Sequence, residues 1–396
     1  MAPKVQELLR EIADEVPPRR GIPPRTLREA RRRVGLTIVL AVGLVAAIGG
    51  GAFAGIHQLI SAGPERPGHR SPLPSHPGPG TVSFPTAPSP GTLLGPGFVP
   101  SSMAFFDPRH GLVAGGIGEG ASPEPGPVPF PGLVGATADG GRTWKVTLRT
   151  DWALDDVTTF GDRFAWTTLG GCGSGTRCSQ PVVFASEDAG LTWSAVSHDN
   201  LARLSFVSPK DGWAIRTQSN AAPAPLAVTS DGGATWTDAG NPCPHGTLPQ
   251  DVRFASRSQG WVLCTGEPGA GNQFKAVLES SDGGRTWHET SGVLFRLGKR
   301  VTMGTGLPSS GYALGIFFLA NGHGWLWMSR EYSYVTEDGG RSWRPMKAVS
   351  APEVRYPLSI WFTAPPEGLV LLWDGERNAY SLLRTSNGGA SWQRVF

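Results

Sequence analysis

One eight-residue frame, Ser/Thr-x-Asp/Asn-x-Gly-x-Thr/Ser-Trp, occurs six times in this chain and limits what it can fold into. The copies are Thr137–Trp144 (TADGGRTW), Ser186–Trp193 (SEDAGLTW), Thr229–Trp236 (TSDGGATW), Ser280–Trp287 (SSDGGRTW), Thr336–Trp343 (TEDGGRSW) and Thr385–Trp392 (TSNGGASW). Their tryptophans stand 49, 43, 51, 56 and 49 residues apart, a period at which a chain builds one supersecondary unit per repeat. Each position has a physical task. Paired turn residues, mostly Gly-Gly, supply the positive φ of a tight hairpin. The preceding acidic or amide side chain (Asp139, Asp188, Asp231, Asp282, Asp338, Asn387) accepts hydrogen bonds from the turn's own amides. The closing indole (Trp144, Trp193, Trp236, Trp287, Trp343, Trp392) is large enough to anchor the turn by packing beneath it.

A second pattern defines the rest of the unit. Phe105, Phe206, Phe254, Phe318 and Phe362 each stand six residues before a glycine, and a shorter version runs from Phe160 to Trp166. Strand, polar turn and strand are read there, so each repeat holds two hairpins and four strands. Four-stranded units of about 50 residues are β-propeller blades. The expected fold is all-β, a six-bladed propeller over residues 100–396, with seven blades as the alternative count. Blades one and six are expected to close the ring by face-to-face packing without strand exchange, the first strand lying around Ser102–Phe106, unless Thr81–Phe84 adds an outer strand.

The repeated frame resembles the Asp-box of bacterial neuraminidase repeats, a feature of sialidases, sortilin-like receptors and photosystem II assembly-factor propellers. The resemblance implies that the Asp-boxes sit between the third and fourth strands, on the face opposite the ligand site. It therefore specifies a fold more than an activity.

The first 99 residues read differently. A charged leader, 1–34, carries "KVQELLREIADEV", whose Val5, Leu8, Leu9, Ile12 and Val16 lie near one helical face; it docks on a membrane surface or binds a cytoplasmic protein. Residues 35–56 hold no charge and are long enough, at about 1.5 Å per residue, to cross a hydrocarbon layer. Arg28, Arg31, Arg32 and Arg33 precede this stretch, which places the N-terminus in the cytoplasm and the propeller outside. Cleavage as a signal peptide at Ala52–Ala54 is the alternative, and exports the propeller equally. Residues 57–99, rich in Pro and Gly, form a linker.

Net charge is only +3, with the basic excess in the leader, which excludes a nucleic-acid-binding role. Four cysteines fit an oxidising compartment: Cys172 with Cys178 and Cys243 with Cys264 are the plausible pairs, a four-cysteine zinc site being the alternative. A sialidase-like glycoside hydrolase is the enzymatic alternative, but the Arg-Ile-Pro motif, arginine trio and Tyr–Glu pair that the resemblance would require are not found. No catalytic, cofactor or metal constellation is assigned. The inserts between second and third strands should open on the loop face, where Glu119, Arg177, Lys275, Glu331, Tyr332 and Arg377 are candidate contacts for a protein or peptide ligand.

Overall fold

The computed structural model describes residues 97–117, 131–170, 183–216, 226–296, 299–346, 355–364, 366–375 and 379–395. The leader, the apolar stretch 35–56, nearly all of the linker and Thr81–Phe84 lie outside the described residues. Among the described residues no helix is long and apolar enough to cross a membrane.

Six antiparallel sheets follow one another along the described chain, at residues 98–150, 154–197, 201–238, 248–303, 312–346 and 355–394. In each, strands are ordered as in the sequence, and the first strand packs against the first strand of the next sheet until the sixth returns to the first. This is a six-bladed β-propeller. The first strand runs Phe98–Phe105, so it begins before the expected boundary. Blades one and six keep their own strands and meet face to face, with the Met103 amide 3.5 Å from Ser359 Oγ. Blade four departs from the four-strand expectation. The longest tryptophan spacing holds a fifth strand, Lys299–Met303, paired to His288–Arg296.

The Phe-x5-Gly pattern has a steric cause. Phe105, Phe206, Phe254, Phe318 and Phe362 face Gly111, Gly212, Gly260, Gly324 and Gly368 across the first two strands. Each ring lies on the glycine, and a Cβ at Gly260 would fall 2.4 Å from the Phe254 ring. The ring is then sandwiched. A tryptophan from the preceding blade stacks on it in Trp166–Phe206, Trp213–Phe254, Trp261–Phe318 and Trp325–Phe362, at centroid distances of 3.7, 3.7, 4.3 and 3.6 Å. The Asp-box indole of its own blade meets it edge-on, as in Phe254–Trp287 and Phe318–Trp343. Three of the stacked indoles also donate to an Asp-box carbonyl of the next blade: Trp166 to Gly232, Trp213 to Gly283 and Trp261 to Gly339.

Blade two breaks the series. The residue opposite Ala165 is Thr159, not Phe160, so no ring covers the glycine position and alanine is tolerated there. The shorter version read at Phe160 is thus out of register by one residue. Leu112 and Leu369 take the tryptophan position in blades one and six, so aromatic stacking joins blade two through to blade six and lapses elsewhere.

The Asp-box turns close on themselves. Asp139 Oδ1 accepts the Thr143 amide at 2.9 Å, Oδ2 accepts the Thr143 hydroxyl at 2.6 Å, and Thr137 Oγ1 donates to Oδ1 at 2.8 Å. Asp188, Asp231, Asp282 and Asp338 repeat this arrangement. At Asn387 one bond reverses, the amide Nδ2 donating to Ser391 Oγ. The turn then docks on the first hairpin of its blade: the Gly140 amide donates to Arg109 O, and Gly283 to Ser258 O. All six frames therefore lie on one face of the ring.

Two outcomes test these readings. Trp261→Ala should lower unfolding free energy by about 3–5 kcal/mol, and Gly260→Ala by about 1–3 kcal/mol, both read from urea midpoints. The Thr286 hydroxyl and amide hold the Asp282 carboxyl down at about 2. Its contribution is full above the unfolded value of about 3.9 and is lost as pH falls toward 2. Asp282→Asn should flatten the stability profile in that acid window and lower stability by a constant amount above it.

Candidate binding face

Among the described residues, the second-to-third-strand loops of blades four and five and the connections between blades share the opposite face. Of the candidate contacts, Glu119, Arg177 and Arg377 lie outside the described residues, as do Cys172 and Cys178. Lys275, Glu331 and Tyr332 are brought together at blades four and five. The sulfurs of Cys243 and Cys264 are 1.94 Å apart with Cα atoms 5.6 Å apart, tying the connection into blade four to its second strand.

Lys275 requires a correction. It was expected among the exposed contacts of the loop face, yet it is fully buried at 0 % exposure. The reason is the blade-four insert. After its fifth strand the chain turns at Gly304, pairs through Thr305 with Arg341 and Trp343 of blade five, and then runs to Gly311. This strap covers Lys275, whose Nζ donates to the carbonyls of Pro308, Ser310 and Gly311 at 3.2, 2.8 and 3.1 Å. Burial pushes the ammonium down to about 7, while Glu331 favours the charged form. Three carbonyl acceptors also favour the charged form, since an ammonium has three protons to donate.

The strap joins three loops into one surface. Gln273 accepts from the Ala313 amide and donates to Gly266 O, and its own amide donates to Ser309 O. Glu331 accepts from the Ser310 hydroxyl and the Tyr332 amide. Arg300 donates to Ser309 Oγ at 2.6 Å. Beside Glu331, exposed Arg330 has φ 59°, a left-handed backbone for a residue other than glycine, and its guanidinium lies 5.4 Å from the Tyr312 ring centroid. Tyr312 and Tyr332 are half-buried. The result is an Arg–Tyr platform held from below by a buried lysine.

The first strands of the blades carry residues that sequence reasoning missed. Ser102, Asp156, Arg203, Asp251, Gly315 and Ser359 each stand three residues before the last position of the first-strand motif, forming a belt around the axis. Asp156 accepts from Ser102 Oγ and from the Leu204 amide, both at 2.8 Å, linking blades one, two and three. Asp251 accepts from the Ile316 amide of blade five at 2.9 Å. Burial holds the Asp251 carboxyl above the usual range against the pull of Arg253 and Arg203. Arg203, at φ 56°, lies in the field of Asp155, Asp251 and Asp156, which raises its pKa despite burial. The available signal was a charged residue inside otherwise apolar strands, in "LDDVTTF" and "LPQDVRF".

Among the described residues no cluster of His, Cys, Asp and Glu is arranged to hold a metal ion. No protein-family model matches the chain, and no curated protein matches it. Solved structures do. A structure of YCF48 bound to D1 peptide is 16% identical, with a TM-score of 0.44 over 76% of this chain and 83% of that one. YCF48 from Cyanidioschyzon merolae is 18% identical, with a TM-score of 0.43 over 76% and 86%. A GH74 xyloglucanase from Xanthomonas campestris is 14% identical, with a TM-score of 0.46 over 76% and 45%.

Lys275 gives a pH test. Below about 7 both folded and unfolded chains hold its proton; between 7 and an unfolded value of about 10.4 the unfolded chain holds more, so its contribution to stability rises with pH. Lys275→Met should remove that rise. It should also speed hydrogen exchange at the Gly311 amide by about tenfold, because the strap loses its donor.

Proposed function

We propose that this chain is a membrane-anchored, extracytoplasmic β-propeller that binds a protein or peptide ligand on the face opposite its Asp-box turns. The observation that carries this reading is the platform at blades four and five. Arg and Tyr dominate the energetics of protein interfaces, because they offer large rigid contact area with a polar end. Here Arg330 is exposed, stacked on Tyr312 and held in a left-handed backbone conformation that costs free energy. The loops beneath it are cross-tied, so little conformational freedom is lost when a ligand docks. Glu119, Arg177 and Arg377 belong to the same proposed face. The uncharged run 35–56 with its preceding arginines supports anchoring with the N-terminus in the cytoplasm. The joined Cys243 and Cys264 support an oxidising compartment for the propeller. A separate partner for the leader remains part of the proposal.

The test is photo-crosslinking of the full chain in its native membranes, with a photoreactive phenylalanine placed at Tyr332 or, as control, at Ala234 on the Asp-box face. A discrete adduct from position 332, absent from 234 and lost in Arg330→Ala, is the expected result. Equal labelling from both positions would overturn the reading, as would turnover of a fluorogenic sialoside that a single loop-face substitution abolishes.

A further inference from the structure

A groove of about 570 Å³ opens on the Asp-box face between blades one and two, within the size range of ligand sites. Its floor and walls include Phe106, Ala136, Trp144 and Leu191, with His110 and Lys145 among the polar lining. The groove lies where aromatic stacking lapses. At this interface Leu112 stands in place of the tryptophan and Thr159 in place of the phenylalanine, so no indole of blade one stacks on a ring of blade two.

Two anomalies of the second Asp-box point into that groove. Where the other five frames have glycine, this one has Ala189, at φ 61°, a strained conformation for a residue with a Cβ. Two residues on, Leu191 is 57 % exposed, an apolar side chain left in solvent on a tight turn. Fold stability explains neither, since the other five frames have glycine at the first position and arginine or the far smaller alanine at the second. Both residues line the groove.

The charge is one-sided. No Asp or Glu lines the groove. Of the nearby carboxylates, Asp107 accepts from the His110 and Arg109 amides and pairs with His110 Nδ1 at 2.7 Å, Asp139 and Asp188 are filled by their own turns, and exposed Glu187 stands on the second turn outside the lining. Among the described residues the Lys145 ammonium has no hydrogen-bond partner, and exposed Arg109 and Arg142 belong to the two turns that form this wall.

We propose that this groove is a second binding site, for an extended peptide segment of a partner protein that presents a leucine-sized apolar side chain next to carboxylates. The apolar side chain packs against Leu191, Ala189 and Trp144, and the carboxylates meet Lys145 and the adjacent arginines. A peptide fits better than a bare alkyl carboxylate because it presents several polar groups along its length, where an alkyl chain has one carboxylate for Lys145 and nothing for the rest of the polar lining at His110, Thr137 and Thr143.

Fluorescence anisotropy on the full-length chain tests this with a short fluorescein-labelled peptide alternating leucine pairs and glutamate pairs, a control with lysine replacing glutamate, and sodium dodecanoate as competitor. Saturable binding is expected, at least tenfold weaker for the lysine peptide. Leu191→Glu and Lys145→Glu should each weaken it at least tenfold without changing the melting midpoint. Ala189→Gly should weaken it several-fold while raising the midpoint by about 1–3 °C, because strain is relieved. Absence of saturable binding, equal binding of the lysine peptide, insensitivity to Leu191→Glu, or displacement by dodecanoate at tenfold higher affinity would overturn the proposal. Crosslinking from Tyr332 on the other face is untouched by Leu191→Glu, so the two sites fail independently.

Discussion

A phenylalanine ring lying on a glycine, stacked by one indole and met edge-on by a second, is the contact on which the propeller depends. It solves three problems at once. The ring fixes the register of the first hairpin, because only a residue without Cβ leaves room opposite it. Its free face takes the stacked tryptophan of the previous blade, which sets the spacing between sheets. Its edge meets the Asp-box indole, which holds the second hairpin against the first. Aromatic pairs of this kind contribute about 0.5–1.5 kcal/mol beyond the area they bury, and four interfaces repeat the arrangement.

Much of this was legible because its causes are local. The Asp-box bonds close within eight residues, and Phe-x5-Gly is a contact across one hairpin, so both leave a fixed spacing in the sequence. The blade count follows from repetition of those spacings. What the spacing could not carry was pairing between blades. The axial belt joins Asp156 to Leu204 and Asp251 to Ile316 across 48 and 65 residues, and no local pattern announces such partners. Lys275 was misread for the same reason: a lysine beside a Gly-rich loop looks solvated until a strap from 33–36 residues onward covers it. The 56-residue tryptophan spacing recorded an insert there but not where the insert would lie. In blade two Thr159 and Ala165 keep the six-residue spacing and Phe160 falls one position past the motif, a slip that only the cross-strand partner reveals.

The two faces of the ring differ in how their polar groups are satisfied. On the Asp-box face each turn supplies its own acceptor, so Asp139 and its counterparts are filled by their own amides and hydroxyls. On the loop face the groups are satisfied between segments, through Lys275, Gln273 and Glu331. Self-contained turns are alike from blade to blade, which gives that face its regularity. Loops tied to one another can differ, and the insert of blade four uses that freedom to build a surface that no other blade repeats among the described residues.

A closed ring tolerates no missing interface, so the contact between blades one and two needs another source of cohesion where Leu112 and Thr159 replace the stacked pair. The structure supplies polar stitching at that interface. Ser101 Oγ donates to Leu154 O at 2.7 Å, Ser102 Oγ to Asp156 at 2.8 Å, Thr159 Oγ1 to Phe105 O at 3.2 Å, and Trp193 Nε1 to Thr147 Oγ1 at 3.2 Å. Hydrogen bonds fix direction without filling volume, and a buried bond adds only about 1 kcal/mol net. Exchanging aromatic bulk for such bonds therefore holds the blades in place while leaving space between them on the Asp-box face. The groove lined by Leu191 and Trp144 is that space, a consequence of how the ring was closed at its least aromatic interface.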